Sequence, residues 1–261
     1  MKNNTKYLHY FPEIFNETIE DTNERIQRYR DHGLPLNAGY YYELLADGFQ
    51  DIAIGEIILN GDFIKSKQNF YLAGKMQEVI YQKYDNKENN ISGDYVTTDK
   101  YTRLLMALIS DSEELTNSLA TLFGGRMQEE KEDHVLHHST GYALKHILLN
   151  DTENAIVYVE KLKKLESKKN MKLYTGYGVV LDGIVRKDID QVNNGLNFML
   201  ECHKNLKYDY GDTPQELLSI PVLGLAKLAI RNEVHVNIED TLVPATMFEI
   251  HKINYPIVDF V

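Results

Sequence analysis

Residues 38–84, AGYYYELLADGFQDIAIGEIILNGDFIKSKQNFYLAGKMQEVIYQKY, decide the fold. The apolar positions do not alternate, as they would on a half-buried strand. Leu44, Leu45, Phe49, Ile52, Ile58 and Leu59 recur at three- and four-residue steps, which stack side chains on one helical face. Asn60-Gly61-Asp62 then interrupts: Gly61 takes a positive φ past a helix end without steric cost, and Asp62 can cap the next helix. Phe63, Phe70, Leu72, Met76, Val79 and Ile80 resume the period. The stretch predicts two antiparallel helices joined by a tight turn.

The same device recurs on both sides. Thr98 is placed to cap a helix through Ile109, and Ser110-Asp111-Ser112-Glu113 has the capping-box form. A helix near 131–149 meets Asn150-Asp151, after which Ile156, Val159, Leu162 and Leu165 stripe its partner. A helix near 171–186 meets Lys187-Asp188. Its partner carries Ile189, Val192, Leu196, Met199, Leu200 and Leu206, with Asp188 and Gln191 as cap and N3 residue. Thr213-Pro214-Gln215-Glu216 offers another start, with Pro221 kinking or restarting a helix that runs to about Arg231. Asp85–Thr97, which contains Asn89-Asn90, reads as a long polar loop. From Val234 on, Pro244, Pro256 and β-branched residues predict an extended tail on the last hairpin. The interruptions fall every 40–50 residues or so, near a helical-repeat period, yet no repeat consensus is present. The expectation is all-α: one domain over 1–261, an irregular stack of antiparallel helical hairpins with an extended C-terminal tail.

Composition narrows the function classes. The 261 residues carry 28 Lys+Arg against 39 Asp+Glu, a net charge of −11, which repels phosphate backbones and suits a basic protein partner. Cys202 is the single cysteine, so no intramolecular disulfide forms. Met1–Lys6 leads into Tyr7, Leu8, His9 and Tyr10 with no apolar signal core, and no stretch is long and apolar enough to span a bilayer. A cytoplasmic protein is expected, without membrane or nucleic-acid partners.

The strongest catalytic candidate is Glu132-Asp133-His134-Val135-Leu136-His137-His138. On a helix His134 and His138 share a face, the i,i+4 spacing of many metal sites. The metalloprotease pattern needs glutamate after the first histidine, and Val135 stands there instead. His134 and His138 are thus weak metal candidates beside a plain solvated helix start. His146 and His203 lie in apolar stretches and read as hydrogen-bonded boundary residues. Cys202 reads as a small buried hydrophobe. Gly124-Gly125-Arg126 lacks both the preceding strand and the Lys-Ser/Thr of a phosphate loop, and reads as a helix-ending turn. No catalytic residue and no cofactor are expected.

Tyrosine is more informative: there are 18, and no tryptophan. Tyr40-Tyr41-Tyr42 must fan around a helix, so they cannot all face one core. Lys207-Tyr208-Asp209-Tyr210-Gly211-Asp212 places two aromatics and two carboxylates in a connection between helices. Tyrosine combines large area with few rotors and a polar tip, and carboxylates beside it favour Arg/Lys-rich partners. Tyr208, Asp209, Tyr210 and Asp212 are the partner-binding candidates.

The C-terminal half also carries a series of segments in order: Leu181-Asp182-Gly183-Ile184-Val185-Arg186-Lys187-Asp188, then Leu196–His203, then Ser219-Ile220-Pro221-Val222-Leu223-Gly224-Leu225-Ala226-Lys227-Leu228-Ala229, then Asp240-Thr241-Leu242-Val243-Pro244. Over this half the chain resembles the immunity protein 49 family of bacterial polymorphic-toxin systems. That resemblance implies a cytoplasmic antidote, not an enzyme, which binds and neutralises a cognate toxin domain. Two alternatives compete with it: a helical-repeat scaffold or peptide-binding regulator, and a metal-dependent hydrolase built on the 132–138 cluster.

Overall fold

A computed structural model describes residues 5–88 and 90–261; the readings that fall on residues 1–4 and on Asn89 lie outside the described residues. The chain forms α1 (Thr5–His32), α2 (Ala38–Leu59), α3 (Phe63–Asp85), α4 (Tyr101–Ile109), α5 (Glu113–Leu122), α6 (Val135–Leu148), α7 (Thr152–Glu166), α8 (Tyr177–Arg186), α9 (Ile189–Asn205), the one-turn α10 (Lys207–Tyr210) and α11 (Ile220–Arg231). Among the described residues the only extended pairing is an isolated bridge between Asp240 and Val243. The all-α expectation holds.

Residues 38–84 fold as the sequence predicts. Gly61 turns the chain at φ 65°, and Asp62 Oδ1 accepts the Lys65 N–H at 2.9 Å to start α3. Tyr41 and Tyr42 are buried while Tyr40 faces solvent. Asp151 and Asp188 likewise cap α7 and α9, accepting the Asn154 and Gln191 N–H groups.

Several local readings are corrected. The serine that caps α5 is Ser112, whose Oγ accepts from Leu115 N; Ser110 Oγ instead donates to Ala107 O. Thr98 opens a 3-10 turn, and its own N–H and Oγ1 both donate to Asp133 Oδ2, at 2.6 and 2.5 Å. The helix placed near 131–149 begins at Val135, with His134 as its N-cap, because Asp133 is drawn away to Thr98. The helix placed near 171–186 begins only at Tyr177, after Gly176 at φ 107°. Thr213-Pro214-Gln215-Glu216 yields only a single 3-10 turn, while Pro221, in the first turn of α11, marks the restart that the sequence offered as one of its two readings, not a kink. The 28-residue α1 is an addition: Tyr7, Phe11 and Phe15, four apart, line its buried face.

Neighbouring helices pack in chain order, α1 on α2, α2 on α3, α6 on α7, α7 on α8 and α8 on α9. An open stack is prevented by α11, which returns to pack on α4, α8 and α9. Its Ile220–Ala229 side is apolar nearly all round, as a helix enclosed by others must be. Gly224 permits the closest approach: a Cβ there would lie 2.6 Å from Leu105 Cβ and 3.2 Å from Leu105 Cα on α4.

The extended tail is present but reaches beyond the last hairpin. Phe260 packs on Phe49, Tyr29 Oη donates to Val261 O at 3.3 Å, and Arg30 pairs with Asp259 at 3.0 Å, so the tail closes onto α1 and α2. Midway it is held by a buried ionic cluster. Asp111, in the left-handed turn between α4 and α5 at φ 64°, accepts from Lys67 of α3 at 2.6 Å and from Lys227 of α11. It also accepts the His251 N–H at 3.0 Å. Lys67 spends its other two protons on Glu249 O at 2.6 Å and His251 Nδ1 at 3.1 Å. Lys227 donates to the carbonyls of Phe248 and Glu249. One carboxylate thereby ties three elements to the tail.

Candidate functional site

The partner-binding candidates lie where α9 ends and the chain turns toward α11. Leu206 is buried, and the single turn of α10 comes directly after it. Residues two apart on a helix point about 200° apart, so only one of Tyr208 and Tyr210 can face inward. Tyr210 does, stacking on His203 with centroids 4.1 Å apart and planes 14° apart. Burial, followed by nearby phenols and Asp209, pushes its hydroxyl pKa well up. Tyr208 is 99% exposed. Asp209 is held at the surface, accepting from Tyr174 Oη at 2.8 Å. Asp212 sits in the left-handed region at φ 57°, and its N–H donates to Glu216 Oε2 at 3.0 Å. Of the four candidates, Tyr208, Asp209 and Asp212 are therefore presented to solvent. Tyr210, partly buried, packs on His203 and anchors the turn.

Reading the sequence missed three participants. Tyr174, in the connection before α8, orients Asp209. Tyr7 of α1 is buried, and its hydroxyl pKa is pushed up by that burial and then by Asp51, Glu216 and Asp212. Asp51 of α2 is itself raised to about 6, first by burial and then by Asp47, with Gln50 and Arg103 pulling the other way. Asp47 is matched by Arg103 at 2.5 Å. Among the described residues Asp51, Asp212 and Glu216 have no basic side chain within salt-bridge distance. Asp51 of α2 and Asp212 and Glu216 of the 207–216 connection thus all lie near enough to Tyr7 to act on its hydroxyl, and α2 packs against the 214–216 turn. The four-residue spacing of Tyr7, Phe11 and Phe15 was the available signal that Tyr7 is buried; nothing local to residues 170–176 marks Tyr174.

The rings of His134 and His137 are neighbours, with centroids 5.7 Å apart, but the rest of the cluster is engaged elsewhere. His134 Nδ1 accepts the Leu136 N–H at 3.2 Å as the cap of α6, and Asp133 is spent on Thr98. His138 lies instead over Tyr142, with centroids 4.6 Å apart, and its Nε2 is 3.9 Å from Glu130. Burial lowers the His138 pKa, with Glu130 pulling it back up. Among the described residues no group of three or more His, Cys, Asp or Glu side chains is placed to hold a metal ion.

The remaining candidates are engaged in structure. His146 pairs with Asp151 at 2.9 Å, and His203 donates through Nε2 to Gln215 O at 3.0 Å. Burial depresses the His203 pKa to about 4. Cys202 is buried, which pushes its thiol pKa up, away from the thiolate a nucleophile needs. Gly124 and Gly125 end α5 at φ 72° and 87°, and the Gly125 N–H is taken by Tyr142 Oη at 2.7 Å, so it is not free to hold a phosphate. No helix among the described residues is long and apolar enough to cross a membrane. No family model, curated protein or solved structure matches this chain.

Proposed function

We propose that this chain is a binding protein rather than an enzyme: a cytoplasmic immunity protein that neutralises a basic toxin domain through the face around Tyr208. The observation that carries this reading is a fully exposed tyrosine beside Asp209 and Asp212, which among the described residues have no cationic side chain within salt-bridge distance. An aromatic side chain held almost wholly in water gains free energy when covered. Asp212 and Glu216 lie together, with the Asp212 N–H on Glu216 Oε2, so an arginine or lysine from outside could form ion pairs there. The resemblance to the immunity protein 49 family supports the toxin as the partner class. The hydrolase alternative has little support, because the 132–138 side chains turn to separate tasks.

Co-expression tests the reading. The product of the gene adjacent to this one, if it is the toxin, arrests bacterial growth alone and not with the wild-type chain. The double variant Tyr208→Ala, Asp209→Asn loses protection while accumulating normally. Full protection by that variant places the interface elsewhere. No growth arrest by any neighbouring product removes the immunity reading.

A further inference from the structure

The segment Lys161–Lys172 is electrically anomalous in an acidic chain. KLKKLESKKNMK holds six lysines and one glutamate. That glutamate does not neutralise them. Glu166 turns inward to the start of α8, where its Oε1 accepts the Gly178 N–H at 2.9 Å and the N–H groups of Gly176 and Tyr177 are also directed at it. Lys163 is matched by Glu160 and Asp182. Among the described residues, Lys168, Lys169 and Lys172 have no carboxylate within salt-bridge distance, although acids outnumber bases along the chain. All three are exposed. Together with Lys163 they line an open concavity of about 510 Å³, whose apolar side is Val179 and the half-exposed ring of Phe198.

The surroundings select among anions. A nucleic acid would extend beyond the concavity over a surface of net negative charge, which repels it. A compact phosphate needs converging donors, and the backbone N–H groups that could supply them at α8 are already filled by Glu166. Flexible ammonium groups around an exposed ring suit separate carboxylates flanking an apolar side chain. We propose that this concavity receives a short acidic segment of a protein partner, one apolar side chain resting on Phe198 and Val179 and its carboxylates on Lys168, Lys169 and Lys172. The site shares no lining residue with the Tyr208 face, although Tyr174, which orients Asp209, adjoins Thr175 of the concavity, and it does not depend on the partner being a toxin.

Fluorescence anisotropy on the full chain tests it. The probe is a labelled peptide of glutamates flanking a central phenylalanine, compared with its glutamine counterpart, ATP and single-stranded oligouridylate. The acidic peptide binds saturably. Replacing its glutamates, or combining Lys168→Glu, Lys169→Glu and Lys172→Glu in the protein, weakens binding about tenfold. Phe198→Ala weakens it severalfold, and Tyr208→Ala leaves it unchanged. Circular dichroism stays as in wild type, since these side chains are exposed or half-exposed. Absence of saturable binding overturns the proposal. So does binding indifferent to the three reversals, binding lost in Tyr208→Ala, or displacement of the peptide by ATP or oligouridylate at equal concentration.

Discussion

Asp111→Asn isolates the charge at the centre of the tail clasp. Asparagine keeps the shape and tolerates the left-handed backbone at φ 64°, so the substitution removes charge with little backbone strain. It leaves two buried ammonium groups facing carbonyls, a histidine nitrogen and a neutral amide. The Lys67 and Asp111 side chains are 0% and 1% exposed, so water cannot replace the lost counter-charge. Removing one partner of such a pair costs about 3–5 kcal/mol. A second route sets an upper bound on the same scale. The cheapest escape is for Lys227, whose pKa burial already lowers against the pull of Asp111, to lose its proton. At pH 7.5 that costs an ordinary lysine about 4 kcal/mol. At this chain length 1 kcal/mol moves the melting midpoint about 2–4 °C, so Tm falls by about 6–20 °C. The effect also depends on pH, with a definite sign. A lysine with a lowered folded pKa binds fewer protons folded than unfolded. Its cost is full below the lowered value and fades as pH rises toward about 10.5. The deficit of Asp111→Asn therefore narrows between pH 7 and 9.5. Calorimetry at several pH values reads the midpoint, and hydrogen exchange reads protection across 248–252, which drops in the variant. A variant melting within about 1 °C of wild type, with its tail equally protected, would refute the claim that this carboxylate holds the clasp.

Three other substitutions probe separate parts of the molecule. Gly224→Ala gains helix propensity but drives a methyl into Leu105 of α4; it destabilises by about 1–3 kcal/mol in urea titration, and a gain would mean the α4–α11 crossing is loose. The His203 pKa of about 4 lies below the ordinary 6.5, so the unfolded chain takes up a proton the folded one refuses. Stability is whole above pH 6.5 and falls by about 3 kcal/mol as pH drops to 4. His203→Gln, which can still donate to Gln215, makes that decline shallower; parallel urea midpoints for the two proteins would contradict it. Asp51, raised to about 6, has the opposite sign: its cost is full at neutral pH and fades as pH falls toward 4. Asp51→Asn therefore raises the stability read from urea titration at pH 7.5 by about 1–3 kcal/mol, with a smaller gain at pH 4.5, and equal gains at both would assign the effect to packing.

How much of the chain is legible depends on how local each cause is. The 38–84 hairpin is legible because one glycine, one aspartate and a helical period agree within a few residues. Asp151 and Asp188 are legible for the same reason. The cap of α5 is ambiguous over two residues because Ser110 fits the capping box while Ser112, just before Glu113, is also a good N-cap residue, and only the fold decides which hydroxyl reaches an N–H. His134 reads as helical because no local signal reports that Asp133 is captured by Thr98, 35 residues away. The tail reads as extended, yet its clasp depends on Lys67, Asp111 and Lys227, each an ordinary surface-type residue in its own segment. In the candidate site, the exposure of Tyr208 and the packing of Tyr210 depend on one turn of helix whose start the sequence does not mark. The approach of Asp51, Asp212 and Glu216 to Tyr7 is purely tertiary.

The central claim is that the Tyr208 face binds a basic protein. Isothermal titration of the wild-type chain with the product of the adjacent gene tests it most directly, beside Tyr208→Ala and the double variant Asp209→Asn, Asp212→Asn. The expected result is one-to-one binding that weakens as salt rises. Tyr208→Ala loses about tenfold or more in affinity, and the acidic double variant loses affinity chiefly at low salt. A complex with unchanged affinity in both variants, or no heat of binding to the wild type, would contradict it.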